Sequence, residues 1–494
     1  MKARSTWAVL AASALVFGLG LQTAIAHMDT RLEDKRAFRR LWTDVSQAVN
    51  AYLDASEPNA SIAGSPDPTN DYGDVLVERA RLQEIKTYEF WKTLRNKPFL
   101  PYRARTNPVV FDDLGRARLL GWGFRLLGGI SPFLILWLGL LVAVPVLFWL
   151  WIELVRAGWF GGGVVLSVLL VASPFVVECL SMTRYAVGFY LVAAFLAIAV
   201  IVPTIAPLPP TLRASVLRAA LAGLLLALCI WCRSSVSFMA PGFVMAFVLA
   251  ARRLPGSTSG RLRGFALLAA IFIAPLLLTR PNTHHDIWPP LWEGLGDFDR
   301  KYDHTWSDKN ATDLARAAGL DESLDFRTPQ AEAIFRKAVL NHVTSDPGWY
   351  ATILVKRFVS TVTLWKLWPF TPIDGEFIRR KSSPNEGFID KYFTYTTTVD
   401  HFGIATAAPE VPAQLFMAPT ILLLAATMFK RWRASVLPFV KGLACFAAVL
   451  LPLPVLVTTA GGQETQAFAL VHMLAAGFLM QAAVNWYRSR SNRT

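Results

Sequence analysis

Two carboxylates stand side by side at Asp112 and Asp113, in the run Thr106-Asn-Pro-Val-Val-Phe-Asp-Asp-Leu-Gly115. A pair so close can share a proton or hold a cation. Placed before a helix, it also serves as N-terminal charge favouring the dipole. A third acid, Asp29, follows the first apolar run directly, at headgroup depth. Arg233 stands alone at the end of a short apolar run, where burial without a partner is costly and a phosphate is a natural partner. The plainer reading is an interfacial arginine snorkelling to headgroups. Arg184 lies at the end of a neighbouring run. His284, His285 and Asp286 follow another, with Trp288 just after them. Adjacent histidines do not easily face one metal, and the spacing of a helical zinc motif is absent. They read as a substrate or phosphate contact, or as an ordinary interfacial loop.

The elements that must position these groups are membrane helices. The chain has 494 residues, 54% hydrophobic and only 17% charged. Apolar runs near the spanning length of about 20 residues recur along it. Backbone groups must be satisfied internally in hydrocarbon, and continuous apolar runs do that as helices rather than as a barrel. The expected fold is therefore an all-α polytopic membrane protein. Ten spans are read, at about 7–26, 131–153, 160–178, 184–203, 215–232, 236–251, 264–280, 412–429, 436–457 and 466–486.

The net charge of +14 does not point to nucleic acid, because the Lys and Arg residues gather at the ends of apolar runs. Arg156, Arg213 and Arg218, Arg252 to Arg263, Lys430 to Arg433, and Arg488 to Arg493 all fall on one set of short connections. With Lys2 and Arg4 before the first span, the positive-inside rule puts both termini in the cytoplasm. The two long loops, 27–130 and 281–411, then lie outside. The organisation expected is an N-terminal membrane module over 1–280, the second outer loop over 281–411, and a C-terminal module of three helices over 412–494.

Some details carry expectations of their own. The first span ends in Ala24-Ile25-Ala26, which resembles a signal-peptidase site, but its apolar stretch is long enough to read as an uncleaved anchor. Only fourteen residues separate Arg218 from Arg233. That span must reach back past Arg218, with the side chain snorkelling, or thin the bilayer. Helical spacing predicts helices over 36–53, 74–96 and 328–345, and an interfacial helix after Asp113. The segment Trp349 to Phe370, with Lys356, Arg357 and Lys366, reads as interfacial rather than spanning. Cys229 and Cys232 form a CxxC on an apolar helix and read as small packing residues.

This layout resembles the GT-C superfamily of integral membrane glycosyltransferases, in the branch related to protein mannosyltransferases and aminoarabinose transferases. Leu224 to Pro241 (LLLALCIWCRSSVSFMAP) is similar to the family stretch in which a Gly/Leu-rich helix ends at an Arg followed by small residues and a Pro. Val110 to Phe133 resembles the segment leading into the family's second span. Asp29 occupies the place of the family's acidic residue after the first span, without its usual flanking pattern. Gln466, Ala467 and Phe468 stand where an Arg-Tyr pair is common.

The resemblance implies transfer of a sugar from a polyprenyl-phosphate donor to a glycan, lipid or protein acceptor outside a bacterial inner membrane. Asp29, Asp112 or Asp113 would act as general base, or would fix a divalent cation that orients the donor. Arg233 and Arg184 would hold the donor phosphate. His284, His285, Asp286 and Trp288 would contact substrate. Trp288, Trp292 and Trp306 suit either stacking on sugar rings or a membrane belt. A transporter or flippase of a lipid-linked or anionic substrate is the main rival, and a non-catalytic scaffold the second. No clear internal repeat or mid-span charge favours transport.

Overall fold

Among the described residues, the long apolar runs become helices. The computed structural model describes residues 114–127, 132–171, 187–207, 210–278, 287–297, 308–321, 329–363, 414–458 and 467–491, a few isolated positions including 302 and 304, and a two-stranded ladder pairing 398–399 with 405–406. Asp29, Asp112, Asp113, Arg184, His284, His285, Asp286 and Trp306 lie outside the described residues, as do the first expected span and the expected helices over 36–53 and 74–96.

The first described helix, α1 (Leu114–Leu127), leads into α2 (Pro132–Arg156), α3 (Phe160–Val171), α4 (Val187–Ile205) and α5 (Leu212–Cys232). A short 3-10 turn, Ser234–Met239, joins α5 to α6 (Ala240–Arg252), and α7 is Thr258–Leu278. Four helices follow outside the apolar runs: α8 (Trp288–Gly294), α9 (Asp308–Ala317), α10 (Pro329–Ser345) and α11 (Pro347–Thr363). The chain returns through α12 (Gln414–Ala426), α13 (Lys430–Leu450), α14 (Pro452–Leu456) and α15 (Ala469–Ser491). Six helical segments among the described residues are long and apolar enough to cross a membrane. This is an all-α integral membrane protein in its described part, apart from the two-residue strands.

The core is arranged around α4. That helix is apolar on every face, and its spanning window is wholly buried. It packs against α2, α5, α6 and α13. The main cluster of buried side chains draws on α2 to α7 and on α12 to α15, so early and late helices share one core. Close approaches rely on small residues: a methyl at Gly162 would run into the Gly477 carbonyl where α3 crosses α15.

The helices α8 to α11 have a second core of their own, built from Trp292, Leu295, Ala311, Ala315, Phe335, Val339, Trp349 and Ile353. The expected helix over 328–345 is α10. The segment expected from Trp349 onward is helical as α11, described as far as Thr363. Arg357 is not an interfacial cation on it. The side chain is fully buried, because Asp297 supplies a carboxylate for it.

The helix of Arg218 does reach back, to Leu212, giving 21 residues. Thr211 caps it, its hydroxyl accepting from the Ala214 N–H at 3.2 Å. Arg218 does not snorkel. Its Nε and Nη2 donate to the two oxygens of Glu153 at 2.9 and 2.8 Å, and Trp149 donates to the same carboxylate at 3.2 Å. Glu153 is 2% exposed, so the forked geometry supplies the partners that a carboxylate buried in a span requires.

Candidate functional site

Arg233 ends α5. The helix closes with Arg233 N–H donating to the Cys229 carbonyl at 2.7 Å, and the backbone then turns extended before the 3-10 segment. Its side chain is half-buried, with Nε donating to Ser235 Oγ at 3.1 Å. A guanidinium therefore stands at a break between two membrane segments.

A second break faces the first. The helix α13 stops at Leu450, and the short α14 starts at Pro452, with a second proline at 454. The 3-10 segment after Arg233 packs against α14. Interrupted segments from the two halves of the chain therefore meet at one end of the bundle.

Two further pieces join them there. Gly115 of α1 lies on the Trp231 carbonyl, so close that a methyl would clash with it, and Trp122 tilts against the Trp231 ring at 5.5 Å. Arg116, 2% exposed, follows at the same junction. From the other side comes the α8–α11 unit. Asp297 accepts from Arg357 Nε at 2.9 Å and from Thr458 Oγ1 at 2.9 Å. Arg357 Nη1 donates to the carbonyls of Val455 and Leu456, at 3.3 and 3.1 Å, satisfying the end of α14. Gly294 is held against the Val457 carbonyl, where a side chain would not fit.

His472 completes this attachment. Its Nε2 donates to the Val362 carbonyl at 2.9 Å, and Nδ1 lies 2.8 Å from the Thr420 hydroxyl. One imidazole thus joins α15, α12 and the end of α11.

Arg218 sits at the opposite end of α5, about 22 Å away at 1.5 Å per residue. A small cavity beside it is lined by Thr204, Ser215, Arg218 and Phe247. Arg253 donates to the carbonyls of Thr204 and Pro207 there, at 2.7 and 3.3 Å. The bundle therefore has one end rich in fixed arginines and another where Arg233, α1 and α8–α11 converge.

No family model, curated protein or solved structure matches this chain. The chemistry of the Arg233 end has to be read from its own groups.

Trp288 is half-buried, packed on the second core with the Arg336 guanidinium 5.9 Å from its ring. Trp292 is neither a membrane-belt residue nor an open stacking platform. It is 6% exposed, edge-on to His304 and Phe335, because α8 turns it into the second core. Cys229 and Cys232 are buried in the core and not joined in a disulfide, in keeping with packing roles. Among the described residues no three His, Cys, Asp or Glu side chains gather as a metal site.

Several polar groups escaped the sequence reading. Arg116, Asp297 and His472 carried no motif. Tyr302, His304, His342 and Trp349 form an aromatic box, in which the two imidazoles lie 4.7 Å apart and the Tyr302 hydroxyl donates to Asp346 at 2.9 Å. Burial holds the His342 imidazole below its ordinary range.

The Arg233 end holds a half-buried cation bonded to a hydroxyl, flanked by apolar helix surface. Trp122, Leu126 and Leu127 of α1 are exposed, at 57%, 88% and 61%. Such a surface suits a molecule with a charged head and an apolar tail.

Proposed function

We propose that the chain is a membrane glycosyltransferase of the GT-C type, moving a sugar from a polyprenyl-phosphate donor to an acceptor on the outer face. In this reading it has ten spans, cytoplasmic termini and two large outer loops, in a bacterial inner membrane. The observation that carries it is the convergence at Arg233. A cation at a helix break, an exposed apolar helix and the compact α8–α11 unit meet at one end, opposite the end that holds the short arginine-rich connections.

The chemistry asks little of the protein. The acceptor hydroxyl oxygen attacks the anomeric carbon of the donor, and a carboxylate takes the hydroxyl proton. The bond from that carbon to the phosphate oxygen breaks, and the phosphate leaves with the electron pair. Arg233 stabilises the charge that grows on it. In the sequence, Asp112 and Asp113 stand three and two residues ahead of Gly115, which rests on Trp231 two residues before Arg233. Those two, with Asp29, are the candidates for the base, and Arg184 is the second candidate for the phosphate. His284, His285, Asp286 and Trp288 are candidates for substrate contact.

The site can be tested without turnover. Ser235→Cys places a thiol beside the Arg233 guanidinium. Polyprenyl monophosphate should protect that thiol from maleimide, whereas a polyprenyl alcohol of equal length should not. Equal protection by both, or by neither, would remove Arg233 from donor binding.

A further inference from the structure

The end of the bundle opposite Arg233 carries a surface that glycosyl transfer does not use. The turn between α12 and α13 exposes Met428 and Phe429, at 85% and 63%. Lys430, Arg431 and Arg433 follow directly and are exposed as well. The far end of α15 adds exposed Tyr487 and Arg488. Trp432 and Trp486 join the two helices, their rings stacked at 5.5 Å and 15°, with the Arg431 guanidinium 5.8 Å from the Trp486 ring. The positive charge is not offset by acids on the same elements. From Val411 to Thr494 the chain has seven Lys and Arg residues and one acid, Glu464, which precedes α15 rather than following it.

We propose that this patch is a binding surface for an anionic phospholipid of the adjoining leaflet. The charge and the rings argue for a lipid rather than an acidic protein. Stacked indoles beside exposed Met428, Phe429 and Tyr487 make an amphipathic shelf of the kind that sits at headgroup depth. The cations around the shelf complement a phosphate whose charge is not cancelled by its own headgroup. The Arg431 guanidinium, laid over Trp486, is held in place and has less freedom to lose on meeting a phosphate. A zwitterionic lipid offers the same acyl chains without the net charge, so preference between the two isolates the charged patch.

The test uses the full chain, extracted in detergent and offered equal amounts of phosphatidylglycerol and phosphatidylcholine, with retained lipid counted by native mass spectrometry. The wild type should retain phosphatidylglycerol preferentially, and rising salt should weaken that preference. Replacing Arg431, Arg433 and Arg488 together by Gln should lower it on the order of 100-fold, at roughly fivefold for each cation near the surface. Replacing Arg213 and Arg263, exposed arginines elsewhere at the same end, should leave it nearly unchanged. Equal retention of the two lipids by the wild type would overturn the proposal. So would a triple variant that keeps the preference, or an equal loss from the Arg213 and Arg263 replacements.

Discussion

Asp297 and Arg357 lie 60 residues apart in sequence and form an ion pair of 2.9 Å in which neither side chain is exposed. Thr458 and the carbonyls of Val455 and Leu456 take up further capacity of the pair. The pair ties the α8–α11 unit to the break in the α13–α14 segment. Removing one member leaves a buried charge without its partner, which costs about 3–5 kcal/mol. Asp297→Leu and Arg357→Met should each destabilise the protein by about that much in detergent unfolding. The double variant should be milder than the sum of the singles, because no lone charge remains. Additive losses would mean that the two side chains act independently.

Glu153 and Arg218 make the corresponding pair at the other end, between α2 and α5. Glu153→Arg alone places cations side by side in a buried position and should abolish stable expression. Adding Arg218→Glu restores opposite charges and should recover part of the folded protein, measured by monodisperse elution in detergent. No recovery would show that the forked geometry and the Trp149 N–H matter more than charge.

Gly115 sets how closely α1 can approach α5. Gly115→Ala should push α1 away from Trp231 and cost about 1–3 kcal/mol, the usual penalty for overpacking. If the carboxylates three and two residues ahead of Gly115 in the sequence supply the base, the proposed transfer should fall further than stability does. Activity that tracks stability alone would argue against a role for α1 in placing those carboxylates.

His342 gives the α8–α11 unit a dependence on pH. Burial lowers its folded value from the ordinary 6.5, so the folded unit favours the neutral ring and the unfolded chain binds more protons. The stabilisation is fully present above pH 6.5 and is lost as the pH falls through the lowered folded value. The protection factors of α8 to α11, corrected for the intrinsic exchange rate at each pH, should therefore fall as the pH drops below 6.5. His342→Gln should flatten that change. A profile unaltered by the substitution would assign the effect to other groups.

The helices were legible because hydrocarbon leaves the backbone no alternative. Runs such as Val187 to Ile205 and Leu212 to Cys232 announce themselves by length and apolarity. Helix 329–345 and the reach of α5 beyond Arg218 followed from periodicity and the thickness of a bilayer. The side-chain pairings were not legible. Glu153 lies 65 residues from Arg218, and nothing local marks either as the other's partner. Arg357 stands on an amphipathic helix among apolar residues, a pattern shared by snorkelling cations and by buried paired ones. Trp292 looked like a belt residue because indoles at membrane boundaries are common, whereas α8 folds it inward. Arg233 could be singled out because its isolation at the end of a short span is itself a local signal.

Under the proposed function, this protein breaks the bond between a sugar and a polyprenyl phosphate. The direct measurement is the fate of a donor carrying label in the sugar, incubated with the purified protein in vesicles together with mixed acceptors. Free polyprenyl phosphate should accumulate as label enters an acceptor. Asp29→Asn, Asp112→Asn and Asp113→Asn isolate the base, whose loss should slow turnover by on the order of 10²–10⁴-fold in one of the three. Arg233→Gln should slow it as well. Donor recovered intact, whether left in place or moved across the membrane, would rule out the proposed transfer.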